Sequence, residues 1–135
     1  MAEDNSITNL ETHGKSEYED LVKHGGELGG SIIIMDCEGY EVQLLQVNNP
    51  SIFKKKHILV ELHEMYQIGC TEILKNRFAS SHQISEINGQ SRKLEDWPNQ
   101  LSLLTLFFPK KTLLHLMDEG RTYPMNWLYM KPNSL

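Results

Sequence analysis

Four side chains in two short stretches have the types and spacing to do chemistry together. MDCEGYE (35–41) carries Asp36 and Glu38, and VELHE (60–64) carries Glu61 and His63. Carboxylates beside an imidazole can take and return protons, or hold a divalent cation. In both stretches the polar groups come straight after an apolar run: SIIIM before Asp36, and ILV before Glu61. In open α/β sheets ligands sit beyond the carboxyl ends of the strands. Two neighbouring parallel strands would therefore deliver Asp36, Glu38, Glu61 and His63 to one sheet edge. The plainer alternative is that Asp36 or Glu38 caps the helix that follows, and that His63 is a structural histidine.

The elements that must position these groups follow from pattern. Ser31 to Met35 is a short β-branched run between Gly29-Gly30 and Gly39, which reads as a strand covered on both faces, as in parallel sheets. Tyr40 to Val47 reads as a helix packing through Val42, Leu44 and Leu45, ended by Asn48-Asn49-Pro50. His57 to His63 is the second strand, and 68–80 the next helix, with Ile73, Leu74 and Phe78 inward. HQISEIN (82–88) is a third strand. Leu101 to Phe108 fits helix or strand, Lys110 to Glu119 a helix, and MNWLYMK (125–131) a last strand with Trp127 and Tyr129 on one face. Upstream, Ser16 to His24 forms a helix with Ser16 as its cap. Alternating strands and helices predict a doubly wound α/β sheet, mainly parallel with one antiparallel strand.

Composition narrows the functions. The chain has 135 residues, enough for one domain, and a net charge of -5. Six acids against Lys15 fall in residues 1–20, while the remainder balances at twelve acids and twelve bases. A near-neutral body argues against nucleic acid, which requires a basic face. Lys54-Lys55-Lys56 reads as a solvated turn. No apolar run approaches the roughly 20 residues of a membrane helix. The acidic, polar start MAEDNSITNL is neither a signal nor a transit peptide, so a cytoplasmic chain is expected. Cys37 and Cys70 form no disulfide framework and fit a reducing compartment. Acids on both sides of Cys37 disfavour a thiolate nucleophile. His13, His24, His57, His82 and His115 show no ligand spacing and are expected at surfaces or element ends. Arg121 is a candidate for binding an anionic substrate group, with a structural salt bridge as the alternative. The second histidine of H-E-x-x-H is absent after His63-Glu64, and no phosphate loop or paired C-x-x-C occurs.

MDCEGYEVQLL resembles the D-x-E-G-x-E stretch that follows the fourth strand of FkbM-type class I S-adenosylmethionine-dependent methyltransferases. ILVELHE (58–64) looks like that family's fifth strand, and 77–84 and 119–132 look like its sixth and seventh. The resemblance covers about residues 28–132. It implies a partial Rossmann-like methyltransferase sheet whose N-terminal strands and glycine-rich cofactor loop are missing. Residues 1–15 lack periodicity and read as a disordered acidic tail, and the resemblance makes 16–135 the C-terminal half of the catalytic domain. It also implies S-adenosylmethionine as cofactor, with Asp36 at its border, and a small molecule or sugar as acceptor. His63 would take the acceptor's proton, with Glu61 orienting it. A metal-assisted variant would set a divalent cation among Asp36, Glu61 and His63. The alternative is a non-catalytic remnant or interaction module. Without its missing neighbour the first strand becomes a sheet edge with an uncovered apolar face. A homodimer partner or the missing N-terminal half would cover it.

Overall fold

The computed structural model describes residues 6, 8–11, 13–24, 31–46, 52–98, 103, 107–118 and 123–133. Helix α1 (Tyr18–His24) precedes strand β1 (Ile32–Met35) and the short helix α2 (Glu41–Leu44). Strand β2 (His57–Glu61), helix α3 (Cys70–Phe78) and strand β3 (His82–Ile87) follow. A 3₁₀ turn at Leu94–Asp96, helix α4 (Lys110–Met117) and strand β4 (Trp127–Pro132) complete the order. The alternation expected from the sequence is present. The four strands form one open mixed sheet in the order β1-β2-β4-β3. β1 and β2 are parallel, and β4 runs antiparallel to both β2 and β3. Three strands thus share a direction and one opposes them.

One face of this sheet is the core. The register sets Ile33 beside Ile58 and Met35 beside Val60, then Ile58 and Val60 beside Met130 and Leu128. Leu44, Leu45, Phe53, Leu74 and Phe78 pack onto that face. Side chains two apart on a strand share a face, so the alternate set lies on the other side. There β1 departs from the expected two-sided cover: Ile32 is 54% exposed and Ile34 66%. An isoleucine-rich run carries no mark of which face is filled, because β-branched residues suit a pleated surface however it is covered. The uncovered apolar face foreseen for a sheet-edge β1 is what the structure has.

Two other expectations need correction. Cys70, Leu74 and Phe78, spaced by four, are the buried stripe of α3, while Ile73 is 38% exposed. Lys56 is not a solvated lysine; it is buried and its Nζ donates to Ser31 Oγ at 2.9 Å, fastening the approach to β2 to that of β1. At α1, the Glu17 N–H donates to Asp20 at 2.9 Å. Val47 and most of Leu101 to Phe108 lie outside the described residues.

Helix α2 is only one turn long, and a turn this short does not hold itself. Arg77 of α3 holds it by donating to the carbonyls of Val42 and Leu45, at 2.6 and 3.0 Å. These are carbonyls that a helix end leaves without intrahelical partners. No described helix is long and apolar enough to cross a membrane.

Candidate functional site

The parallel pairing of β1 and β2 brings their carboxyl ends to one edge, and the four expected side chains meet there. His63 lies two residues beyond β2, at the start of a turn in which its carbonyl accepts from the N–H groups of Tyr66 and Gln67. Its side chain is 1% exposed. Nε2 lies 3.5 Å from Asp36 Oδ1, 3.4 Å from Glu38 Oε2 and 3.7 Å from Glu61 Oε2. Asp36 and Glu38 are half-exposed, and Glu61 is buried at 5%. Neither Asp36 nor Glu38 caps α2, whose N-terminus receives no side-chain cap bond. The simplest structural explanation of those two acids therefore fails.

The residue that holds the imidazole is Glu41, the first residue of α2. Its carboxylate is fully buried and meets His63 Nδ1 at 2.5 Å. The same oxygen accepts the Gly39 N–H at 3.1 Å. An ionised carboxylate only accepts, so Nδ1–H donates to Glu41, and Nε2 is the ring nitrogen turned towards Asp36, Glu38 and Glu61. That Nε2 is buried and has no hydrogen-bond partner. The orienting part expected of Glu61 thus belongs to Glu41, and Glu61 lies on the Nε2 side instead. Sequence reading passed over Glu41 because position 41 looks like an ordinary acidic first turn. Its one signal is that it is the third acid of the D-x-E-G-x-E stretch.

The turn between β1 and α2 is shaped for this contact. Glu38 and Gly39 both have positive φ, 51° and 97°, and Tyr40 N–H closes the turn onto Cys37 O at 3.3 Å. A left-handed glutamate costs about 1 kcal/mol. A Cβ on Gly39 would sit 2.6 Å from Tyr66 Cβ, so only glycine lets the turn approach the segment after His63. Tyr66 stacks beside the imidazole with ring centroids 6.0 Å apart.

Glu64, next to His63, serves a separate end. It accepts from the Gly69 and Thr71 N–H groups at 2.6 and 2.9 Å and so caps α3. Burial alone would raise its pKa, but the bonds from Thr71 and Gly69 outweigh this and hold it below the ordinary value. Burial is also the main reason the Cys37 thiol is pushed up to about 12, with Glu41 adding to it. Burial, then Glu64, pushes Cys70 up to about 11. Both shifts favour the protonated thiol at neutral pH, in the same direction as the reading of Cys37 as a non-nucleophile.

A cleft of about 500 Å³ opens beside the cluster, with Asp36 and Glu61 in its wall. Arg92, Asp118, Tyr123 and Trp127 are among the other lining residues. Arg121 lies outside the described residues, and Arg92 is a cationic group that the structure does set in this wall. No protein-family model, no curated protein and no solved structure matches this chain.

Proposed function

We propose that this chain is the acceptor-side half of an S-adenosylmethionine-dependent methyltransferase domain, acting on a hydroxyl or amine of a small molecule or sugar. The observation that carries the reading is the buried Glu41–His63 pair, with Nε2 unpartnered towards the strand edge. Such a pair is built to remove a proton: the carboxylate fixes the tautomer and stabilises the charge that the ring acquires. The adjoining cleft suits a sulfonium donor in size, and the carboxylates of Asp36 and Glu61 suit its positive charge. When bound, S-adenosylmethionine supplies an electrophilic methyl group. His63 Nε2 accepts the proton of the acceptor as its oxygen or nitrogen gains the methyl, and Glu41 keeps the ring aimed. Asp36 borders the cofactor, Glu38 the acceptor side, and Arg92 offers a partner to an anionic acceptor. The resemblance of MDCEGYEVQLL and ILVELHE to FkbM-type enzymes, and the single opposed strand of the sheet, support the same reading.

Calorimetric titration of the purified chain with S-adenosylmethionine tests it. Binding in the micromolar range that weakens in Asp36→Asn supports methyl transfer. The second reading, an interaction module that pairs through the β1 edge, is favoured by the exposure of Ile32 and Ile34. Absence of cofactor binding together with a concentration-dependent dimer in sedimentation would select it.

A further inference from the structure

We infer that Asp36, Glu38 and His63 form a binding site for a divalent first-row transition cation, with Glu41 as the residue that positions the imidazole. One donor atom from each of the three lies within 4.8 Å of the others. Exposed acids crowd together in many proteins without an ion, so the acids alone do not carry this. The imidazole does. Its Nε2 is buried, makes no hydrogen bond, and is aimed between the two carboxylates. A buried ring nitrogen without a partner costs free energy, and a cation held between the two carboxylates would supply that partner.

The distances and the donor chemistry agree with this. Cation–nitrogen and cation–oxygen bonds of about 2.0–2.2 Å set tetrahedral ligands about 3.4 Å apart. Nε2 stands 3.4 and 3.5 Å from the two carboxylate oxygens. Ligand histidines donate their other ring N–H to a carboxylate, which fixes the tautomer and raises basicity; the Glu41 contact at Nδ1 is that arrangement. Glu61, 3.7 Å from Nε2, stands where a further carboxylate would offset the charge. One imidazole with carboxylates suits zinc, manganese, cobalt or ferrous iron, whereas magnesium and calcium take oxygen alone. Asp36 and Glu38 are half-exposed, which gives the cation an entry route. The set differs from the Asp36, Glu61 and His63 group that the family resemblance implied, because Glu38 lies nearer to Nε2 than Glu61 does.

The inference stands on donor geometry and not on the methyl-transfer reading. Where the two combine, cation and proton compete for one lone pair. A loaded centre makes His63 a ligand and leaves the cation to acidify an acceptor hydroxyl.

The test is zinc titration of the full chain against a chromophoric chelator, with cobalt absorption as a second readout. The expected result is one zinc per chain, and a cobalt spectrum of a four- or five-coordinate site. Asp36→Asn with Glu38→Gln, both on exposed side chains, should weaken zinc at least 100-fold with the fold intact by circular dichroism. Glu41→Gln should weaken it about 10- to 100-fold as a positioning residue. Equimolar magnesium should not displace cobalt. Absence of a one-to-one zinc site, or zinc affinity unchanged in the Asp36→Asn/Glu38→Gln variant, would overturn the inference. Cofactor titration is read separately, so failure of one reading does not masquerade as failure of the other.

Discussion

The contact between Glu41 and His63 can be weighed with a double-substitution cycle. Replacing Glu41 by leucine leaves the Nδ1–H of His63 and the Gly39 N–H without an acceptor inside the protein. A bond to a charged group is worth about 1.5–3 kcal/mol and a neutral one about 1. Part of this is returned, because Glu41 Oε2 is already buried without a partner. The net loss should be about 2–4 kcal/mol. Replacing His63 by leucine strands a buried carboxylate without its imidazole, which costs about 3–5 kcal/mol. The double variant removes both polar groups together and should cost much less than the two losses combined. The cycle therefore yields a coupling of about 2–4 kcal/mol, against additivity within about 0.5 kcal/mol for independent sites. Urea unfolding followed by circular dichroism reads it, as midpoint shifts of about 1–2 M per 2 kcal/mol. Additive losses would show that the short contact contributes nothing to the fold, and would remove the physical reason for the imidazole's orientation.

Three further outcomes follow from other parts of the structure. Gly39→Ala meets both a positive φ of 97° and Tyr66 Cβ at 2.6 Å, whereas Gly69→Ala meets a φ of 82° and open space; the first should cost about 1–3 kcal/mol more than the second, and equal urea midpoints would refute the close approach. The thiols at about 11 and 12 should alkylate with iodoacetamide at pH 8 roughly a hundredfold more slowly in the native chain than in urea, and equal rates would contradict their burial. His82 donates from Nε2 to the Lys56 carbonyl at 3.1 Å, and its Nδ1 lies 2.9 Å from Ser81 Oγ. Burial holds its pKa below the ordinary 6.5, although the carbonyls of Lys56 and Phe53 pull the other way. The unfolded chain then binds a proton that the folded one refuses; the contribution is full above pH 6.5 and is lost as pH falls from there through the lower folded value. Melting temperature should fall more steeply between pH 7.5 and 5 in the parent than in His82→Gln, and parallel curves would refute this.

Much of the site was legible in the sequence because it depends on local order. An apolar run followed at once by acids marks a strand end, and a helix between two such runs favours a parallel crossover, so Asp36, Glu38, Glu61 and His63 meet once β1 and β2 are parallel neighbours. The strand pattern of 82–87 and the face assignment of Trp127 and Tyr129 needed only the two-residue period. What escaped depends on tertiary contact. The insertion of β4 between β2 and β3 leaves no mark within any single strand. Glu41 resembles a surface acid in a first helical turn until His63 is set against it. Lys56 looks solvated until Ser31 is found beside it. Glu64 gives no hint that it caps a helix beginning six residues later. The emptiness beyond Ile32 and Ile34 is likewise a property of what packs against β1, not of the isoleucines themselves.

Long-range ¹H–¹⁵N correlation in the uniformly labelled chain reads the state of the His63 ring directly. The expected result is a proton on Nδ1 and none on Nε2, with the Nε2 resonance shifting on addition of zinc. A neutral ring with its proton on Nε2 and a bare Nδ1 would mean that Glu41 is the donor of the pair. The strand edge would then hold no free lone pair for either a proton or a cation.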